Sequence, residues 1–339
     1  MHYAGTLLVG EAFEPVEGRV HVEDGRIVDI ERCSVDSDAI VCPAFVNAHT
    51  HLGDSIAKEA GEGLGLEELV APPDGLKHRL LREADAATMV EAIRRTIRYM
   101  EQAGTAATLE FREGGPEGVA VLERALSGQA LAAVVFGRGS PDVLEVADGY
   151  GASGAADADF EAERQAAARA DKPFAIHAGE VGPEDIDPAL DLDPDLLVHM
   201  VHATEAHLDR VADAGVPVAV CPRSNLATGV GLPPIAALHE RTTVALGTDN
   251  VMLSGPTMFR EMALAADWSG LPAAEVLAMA TRNPAAIAGL DGGTIAEGAP
   301  ARLVVLDGDS DNLAGVHDPV RAVVRRATVD DVQTVHLPD

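Results

Sequence analysis

The sequence predicts an α/β fold, a TIM (β/α)8 barrel with a small β domain formed by the N- and C-terminal segments. Through the middle of the 339-residue chain, apolar strand-like segments alternate with helical segments, and eight such strands can be counted. Both ends of the chain have β-like patterns instead. Hydrophobic residues make up 47% of the chain and aromatic residues only 3%, which suits parallel strands that are buried on both faces.

The barrel strands are predicted where apolar runs end in polar residues. The first lies in 41–52, and seven follow at 105–113, 131–139, 148–154, 173–180, 196–203, 216–225 and 243–250. Helices are predicted at 85–104, 161–170, 205–215 and 275–290. Hairpin-like segments before residue 42 and β-like segments after residue 300, including 320–337, complete the prediction. The predicted domains are therefore 1–42 with 300–339 as the small β domain, and 43–299 as the barrel.

The net charge and the lengths of the apolar runs exclude two classes of partner. The formal net charge is −30, so the chain repels nucleic acid. No apolar run approaches the ~20 residues that span a membrane, and the first residues lack the basic region of a signal peptide. We expect a cytoplasmic protein that binds neither nucleic acid nor membrane. Because lysine occurs only at Lys58, Lys77 and Lys172 among many acidic residues, we interpret the composition as halophilic.

Five polar residues at strand ends predict a metal site. His49 and His51 are two positions apart, so their side chains project from the same face of the first strand. His177, His199 and Asp249 close three further apolar runs, and polar groups that point into an apolar barrel need partners. One divalent cation would satisfy all of them, and imidazole with carboxylate suits Zn²⁺, with Fe²⁺ and Mn²⁺ as alternatives. The competing interpretation is five unrelated polar strand ends.

Other polar residues near strand ends are candidates for contact with substrate. Glu180 follows His177 by three residues and could reach a substrate, although a capping glutamate is the plain alternative. Arg112 and Arg138 close two strands and could bind a carboxylate, phosphate or ribose, or form a salt bridge with Glu110. Asp54 follows the histidine pair and could contact substrate or cap a helix.

The segments PAFVNAHTHL, IHAGE, VHMVHATEAHL, CPRSN and LGTDN occur in that order and resemble the amidohydrolase superfamily. More narrowly, they resemble its cytosine, guanine, adenosine and S-adenosylhomocysteine deaminase branch. The resemblance implies that His49, His51, His177 and Asp249 bind the metal. It also implies catalytic roles for Glu180, which would carry protons, for His199, which would orient the attacking water, and for Asp249, which would accept a proton from that water.

The same resemblance implies that Ser224 and Asn225 line the substrate face and that the chain forms a homodimer. His202 is a rival of His199, but an odd separation along a strand places it on the opposite side, so His199 is favoured. No lysine ends the third or fourth strand, which favours one metal ion. We therefore expect a hydrolytic deaminase that acts on a small-molecule nucleobase, nucleoside or related heterocycle and releases ammonia.

Two alternatives remain beside this deaminase. Within the same fold, the site could hydrolyse a cyclic amide or a ring halide, and ammonia release separates these reactions. A non-catalytic binding protein on a degenerate barrel is the third hypothesis, and the complete set of candidate ligands argues against it.

Overall fold

The computed structural model describes residues 1–70 and 74–338, so residues 71–73 of the predicted barrel and residue 339 of the predicted β domain lie outside it. The chain begins with four strands: β1 (His2–Val9), β2 (Glu14–Glu23), β3 (Arg26–Arg32) and β4 (Ile40–Pro43). They join two late strands, β14 (Leu303–Leu306) and β15 (Val332–His336), in a sheet of order β15-β14-β4-β1-β2-β3. Both chain ends therefore contribute to one small sheet, while the domain boundaries at 42/43 and 299/300 stay predictions.

The second sheet is the barrel. Its parallel strands run in the order β12-β11-β10-β9-β8-β7-β6-β5-β13. The two short strands β12 and β13 belong to one stretch of chain, which pairs with β11 on one side and with β5 on the other. That stretch closes the sheet, so the predicted TIM barrel is confirmed. The strands are β5 (Phe45–His51), β6 (Thr105–Arg112), β7 (Ala132–Gly137), β8 (Gly149–Gly154), β9 (Phe174–Ala178), β10 (Leu196–His199), β11 (Val218–Val220), β12 (Val244–Leu246) and β13 (Asp249–Asn250).

The strands β5 and β6 show why aliphatic composition suits this fold. Every residue in both strands is buried, because one face packs inside the barrel and the other packs under the surrounding helices. The helices are α1 (Leu66–Val70), α2 (Leu76–Glu83), α3 (Ala86–Gln102), α4 (Gly115–Leu126), α5 (Glu161–Ala170), α6 (Ile186–Asp191), α7 (Glu205–Ala214), α8 (Pro222–Thr228), α9 (Ile235–His239), α10 (Met258–Ser269), α11 (Ala273–Met279), α12 (Arg282–Ile287) and α13 (Pro319–Arg325).

The predicted helix 85–104 is observed as α3, and its ends have local causes. The Asp85 side chain accepts hydrogen bonds from the backbone N–H groups of Ala87 and Thr88, so it caps the helix. After the helix, Gly104 has a φ of 85°, a left-handed conformation that glycine adopts without a steric penalty. The apolar face of α3, including Ile93 and Ile97, is fully buried.

Three predicted elements were wrong in detail. The predicted strand 216–225 stops at Val220, and α8 begins at Pro222, whose fixed φ suits the first turn of a helix. The predicted helix 275–290 is two helices, α11 and α12. The predicted β segment 320–337 starts with α13, because Asp318 caps that helix and four of its apolar residues are buried. Tertiary packing thus overrides the strand propensity of its valines.

Candidate active site

The carboxyl ends of the barrel strands bring the predicted histidines together. His49 and His51 end β5, His177 lies in β9, and His199 ends β10. The Nε2 atoms of His49 and His177 are 3.3 Å apart. The Oδ1 atom of Asp249 lies 3.3 Å from Nε2 of His49 and 3.4 Å from Nε2 of His51. Five residues from four separate parts of the chain therefore form one buried cluster.

The backbone is strained at two members of this cluster. His199 has a φ of 79° and Asp249 a φ of 57°, in the left-handed region that residues other than glycine rarely adopt. Such conformations persist only where the surrounding structure holds them, and they concentrate at functional sites. The strain turns the chain at the ends of β10 and at the start of β13, where these two side chains enter the cluster.

Hydrogen bonds on the outer side of the cluster fix the orientation of two imidazole rings, those of His51 and His177. The Nδ1 atom of His51 is 3.0 Å from the carbonyl oxygen of Phe111. The Nδ1 atom of His177 is 2.7 Å from the carbonyl oxygen of Ala152. A carbonyl oxygen can only accept, so Nδ1 carries the proton in each ring. Each Nε2 atom then offers a lone pair to the centre of the cluster.

The donor set fits a divalent cation. The ligand atoms of His49, His51 and Asp249 lie within 4.8 Å of one another, and so do those of His49, His177 and His199. Burial lowers the pKa of His49 to about 3, and it lowers the pKa of His177 well below its usual value. Both rings are therefore neutral, the form in which imidazole binds metals. Burial opposes ionisation of Asp249, but its hydrogen bond to His49 and its electrostatic interactions with the surrounding imidazoles hold its pKa well below the usual range.

Residues 40–334 match the sequence model of the amidohydrolase family. This chain belongs to the amidohydrolase family. A putative aminohydrolase of Methanothermobacter thermautotrophicus is 34% identical to it, over 95% of this chain and 93% of the relative. A 5-methylthioadenosine/S-adenosylhomocysteine deaminase of Haloquadratum walsbyi is 30% identical, over 87% of this chain and 77% of the relative.

Two solved structures show the same fold at lower identity. An adenosine deaminase from Xanthomonas campestris with bound zinc has a TM-score of 0.76 at 21% identity, covering 96% of this chain and 88% of that one. An atrazine chlorohydrolase from Arthrobacter aurescens complexed with zinc has a TM-score of 0.81 at 21% identity, covering 99% and 94%. The family membership identifies a hydrolytic enzyme that acts on carbon–nitrogen bonds, and the cluster supports a divalent metal in this amidohydrolase.

A cavity of about 520 Å³ opens onto the cluster. Its wall includes His51, His177, His199 and Asp249, together with Glu180. The Glu180 Oε2 atom is 3.5 Å from Nε2 of His199, and burial raises the pKa of the Glu180 carboxyl. The cavity thus places a carboxyl group that can hold a proton beside the cluster.

Ser224 and Asn225, predicted to line the substrate face, are brought to the cluster but act on its members. The Ser224 hydroxyl donates a 2.6 Å hydrogen bond to Oδ2 of Asp249. The Asn225 side-chain amide is 3.1 Å from Nδ1 of His199. Both residues lie in α8, the helix that replaces the end of the predicted seventh strand. Neither is among the described residues that line the cavity.

The other predicted substrate residues separate into two groups. Arg138 lines the cavity, and it also lines a neighbouring cavity of about 800 Å³. Arg112 and Asp54 are buried, and neither is among the described residues that line the cavity. The Arg112 side chain donates to the carbonyl oxygen of Gly118 and fills the space where a Cβ atom on Gly53 would lie. This packing explains why glycine follows the HTHL segment here.

His202 does not lie on the opposite side of the strand, because β10 has already ended at His199. The chain turns there, and both histidines line the cavity. The prediction that His202 lies on the side of the strand opposite to His199 was therefore wrong. His199 is nevertheless the one whose ring contacts both Glu180 and Asn225.

Sequence reasoning missed Lys77, Glu113 and Asn250. The Lys77 ammonium lies 2.8 Å from Oε1 of Glu113 and 3.2 Å from Oδ1 of Asn250. It is only 3% exposed. The scarcity of lysine in the chain was the available signal for Lys77. A chain with only three lysines has little reason to place one of them in its interior.

Proposed function

We propose that this amidohydrolase is a metal-dependent hydrolytic deaminase that acts on a nucleobase, nucleoside or related heterocycle. The observation that carries this proposal is Glu180, a buried carboxyl group with a raised pKa on the cavity wall, 3.5 Å from His199. An amino group leaves a ring carbon only when it is protonated, and a carboxylic acid at this place can supply the proton. The deaminase names among the relatives support the same reaction.

His49, His51, His177 and Asp249 would hold one divalent cation, with Zn²⁺ favoured over Fe²⁺ and Mn²⁺. When bound, such an ion brings the pKa of water from 15.7 to about 7 and makes hydroxide available at neutral pH. His199 would orient the attacking water. Asp249 would accept its proton and is kept in place by Ser224. Glu180 would deliver a proton to the ring, so that water and the amine become a ring carbonyl and ammonia.

The cavity also limits the size and polarity of the substrate. A volume of about 520 Å³ lies within the usual range for small-molecule sites and accommodates a nucleoside. Arg138 stands between this cavity and the neighbouring one, and among the described residues its guanidinium is engaged only by Glu113, through Nη1. Its remaining N–H groups would bind an acceptor group on the part of the substrate that extends away from the ring.

The first experiment is ammonia release from a panel of purine, pyrimidine and pterin bases and nucleosides, at high salt, with and without a chelator. Chelator-sensitive ammonia from one compound class is the expected result. Silence across the panel, with one metal ion bound per chain, would overturn the deaminase. The assays that follow would then measure chloride release from ring halides and ring opening of cyclic amides.

The Glu180→Gln variant tests the proton carrier within the active enzyme. It should bind the metal normally but lose roughly 10²–10⁴-fold in rate, the range for general acid–base catalysis. The matched control is Glu161→Gln, an exposed glutamate in the first turn of α5 whose carboxylate accepts only from Gln165 among the described residues. Ammonia release and metal content are measured on both variants. A Glu180→Gln enzyme with wild-type rate would show that another group carries the proton.

A further inference from the structure

His51 has a contact that the proposed mechanism does not use. Its Nδ1 atom lies 2.9 Å from Oε1 of Glu113, in addition to its 3.0 Å contact with the carbonyl oxygen of Phe111. Glu113 directly follows β6, and its side chain is only 11% exposed. A hydrogen bond from an imidazole N–H to a carboxylate is stronger than one to a neutral carbonyl. The Nδ1–H donates to the Phe111 carbonyl, and the carboxylate beside it adds an electrostatic attraction to the same proton.

Two cations hold that carboxylate. The Glu113 Oε1 atom lies 2.8 Å from the Lys77 ammonium and 3.3 Å from Nη1 of Arg138. An ionised carboxylate is costly to bury unless it is paired, and here two positive charges contact its Oε1 atom. The pairing fixes both the position of Glu113 and the negative charge that faces His51.

Lys77 lies among three acceptor groups of the protein. An ammonium has three donors, and three protein acceptors surround it: Oδ2 of Asp54 at 3.3 Å, Oε1 of Glu113 at 2.8 Å, and Oδ1 of Asn250 at 3.2 Å. Asp54 follows β5, Glu113 follows β6, and Asn250 is the last residue of β13. Lys77 also lines the cavity. It ties together the ends of three strands that carry or adjoin the cluster.

We propose that Glu113, held by Lys77 and Arg138, is a positioning residue for the metal ligand His51. It keeps the proton on Nδ1, aims Nε2 at the centre of the cluster, and makes that nitrogen a better donor to a cation. The inference rests on the proposed role of His51 as a ligand. It adds a residue that acts through another, since Glu113 itself is separated from the cluster by the imidazole.

The test is zinc affinity, measured on chelator-stripped protein by competition with a chromophoric chelator at high salt. Glu113→Gln keeps the shape of the side chain and removes its charge. We expect zinc binding to weaken by roughly 10–100-fold, the usual effect of losing such a partner. The control is Glu101→Gln, a glutamate on α3 whose carboxylate accepts from the backbone N–H groups of Ala130 and Leu131, before β7. The control should bind zinc as tightly as the wild type.

Thermal unfolding of the metal-free proteins separates folding from metal binding. A Glu113→Gln protein that is less stable but binds zinc with wild-type affinity would overturn the proposal. Glu113→Asp restores the charge at shorter reach and should recover part of the affinity. If Glu113→Gln does not fold, the Lys77→Met variant is used for the same test. Without the ammonium, the Glu113 carboxylate should position His51 less well and zinc should bind more weakly. Unchanged zinc affinity in this variant would overturn the proposal.

A spectroscopic measurement distinguishes positioning from general support of the fold. Ring ¹⁵N shifts of the metal-free protein should show His51 protonated on Nδ1 in the wild type and a gain of the Nε2-protonated form in Glu113→Gln. An unchanged tautomer would mean that the Phe111 carbonyl suffices. None of these measurements uses a substrate. A wild type that binds zinc but releases no ammonia would therefore end the deaminase proposal and leave this one standing.

Discussion

Glu110 is a buried carboxyl group whose pKa lies far above its ordinary range. It is fully buried in β6, and its two oxygens accept from the backbone N–H of Leu52 and the hydroxyl of Thr50. Burial raises its pKa from 4.5 to about 8, because these neutral donors and the more distant charge of Arg112 do not offset the loss of solvation. It supports the turn that follows the histidine pair.

This shift predicts a pH dependence of stability. Between about pH 4.5 and pH 8 the folded protein keeps the Glu110 proton and the unfolded chain does not, so raising the pH favours unfolding. We expect the wild type to lose stability relative to Glu110→Gln by about 1.4 kcal/mol per pH unit in this window. Denaturant unfolding of the metal-free proteins at pH 5 and pH 8 measures the difference. A difference that does not change with pH would show that Glu110 is ionised in the folded state.

Some of the individual residues at the site could be predicted from the sequence, and others could not. His49, His51, His177 and Asp249 could be found because each ends an apolar run, and the ends of parallel barrel strands meet at one mouth. Lys77 lies in a long connection after the first strand, where no periodicity says which side chains turn inwards. Glu113 lies one residue beyond Arg112, so its contact with His51 depends on how the strand ends, which a pattern of alternation does not give.

Among the elements, the short helix α8 is stabilised by a buried ion pair with α10. The Arg223 backbone N–H and Nη1 atom each lie 3.3 Å from an oxygen of Glu261. Glu261 is fully buried and the Arg223 side chain is 10% exposed. Because α8 also carries Ser224 and Asn225, this pair holds the helix that supports Asp249 and His199.

Breaking the pair on one side should therefore be costly. Arg223→Met leaves the Glu261 carboxyl without its counter-charge, and we expect a loss of roughly 3–5 kcal/mol in the free energy of unfolding. The double variant Arg223→Met, Glu261→Met replaces both charges with apolar groups and should recover most of that loss. Denaturant unfolding of the wild type, both single variants and the double variant completes the cycle. A double variant as unstable as the sum of the singles would show that the two residues are not coupled.

Helices and strands were predicted correctly where the local sequence features agree, and wrongly where these features conflict. The helix α3 has a cap, a regular apolar face and a terminal glycine, and all three agree. In α13 the valines favour a strand, while Asp318 and Pro319 favour the start of a helix. Only the apolar surface of α10 and α11, which α13 contacts, decides between them. That surface is assembled from distant parts of the chain, so a local pattern cannot contain it.

The whole molecule is dominated by negative charge. With 55 acidic residues against 25 lysines and arginines, most carboxylates lack a basic partner when each cation pairs with only one of them. Exposed pairs do exist, such as Arg210 with Asp187 and Asp191 at 2.6 Å each, but each is worth only about 0–1 kcal/mol. Repulsion among the excess acidic groups should therefore outweigh the attraction within these pairs. No helix in the described ranges is both long and apolar enough to cross a membrane.

Salt should accordingly stabilise this protein. The screening length is about 30 Å at 0.01 M salt and about 3 Å at 1 M, so repulsion that spans the molecule in dilute buffer is confined to near neighbours at high salt. We expect the unfolding temperature to rise steeply with KCl and to level off near molar concentration. Sucrose, which strengthens burial without screening charge, is the control and should give a smaller, more gradual rise. An unfolding temperature in dilute buffer equal to that at 1 M KCl would rule out the halophilic interpretation of the composition.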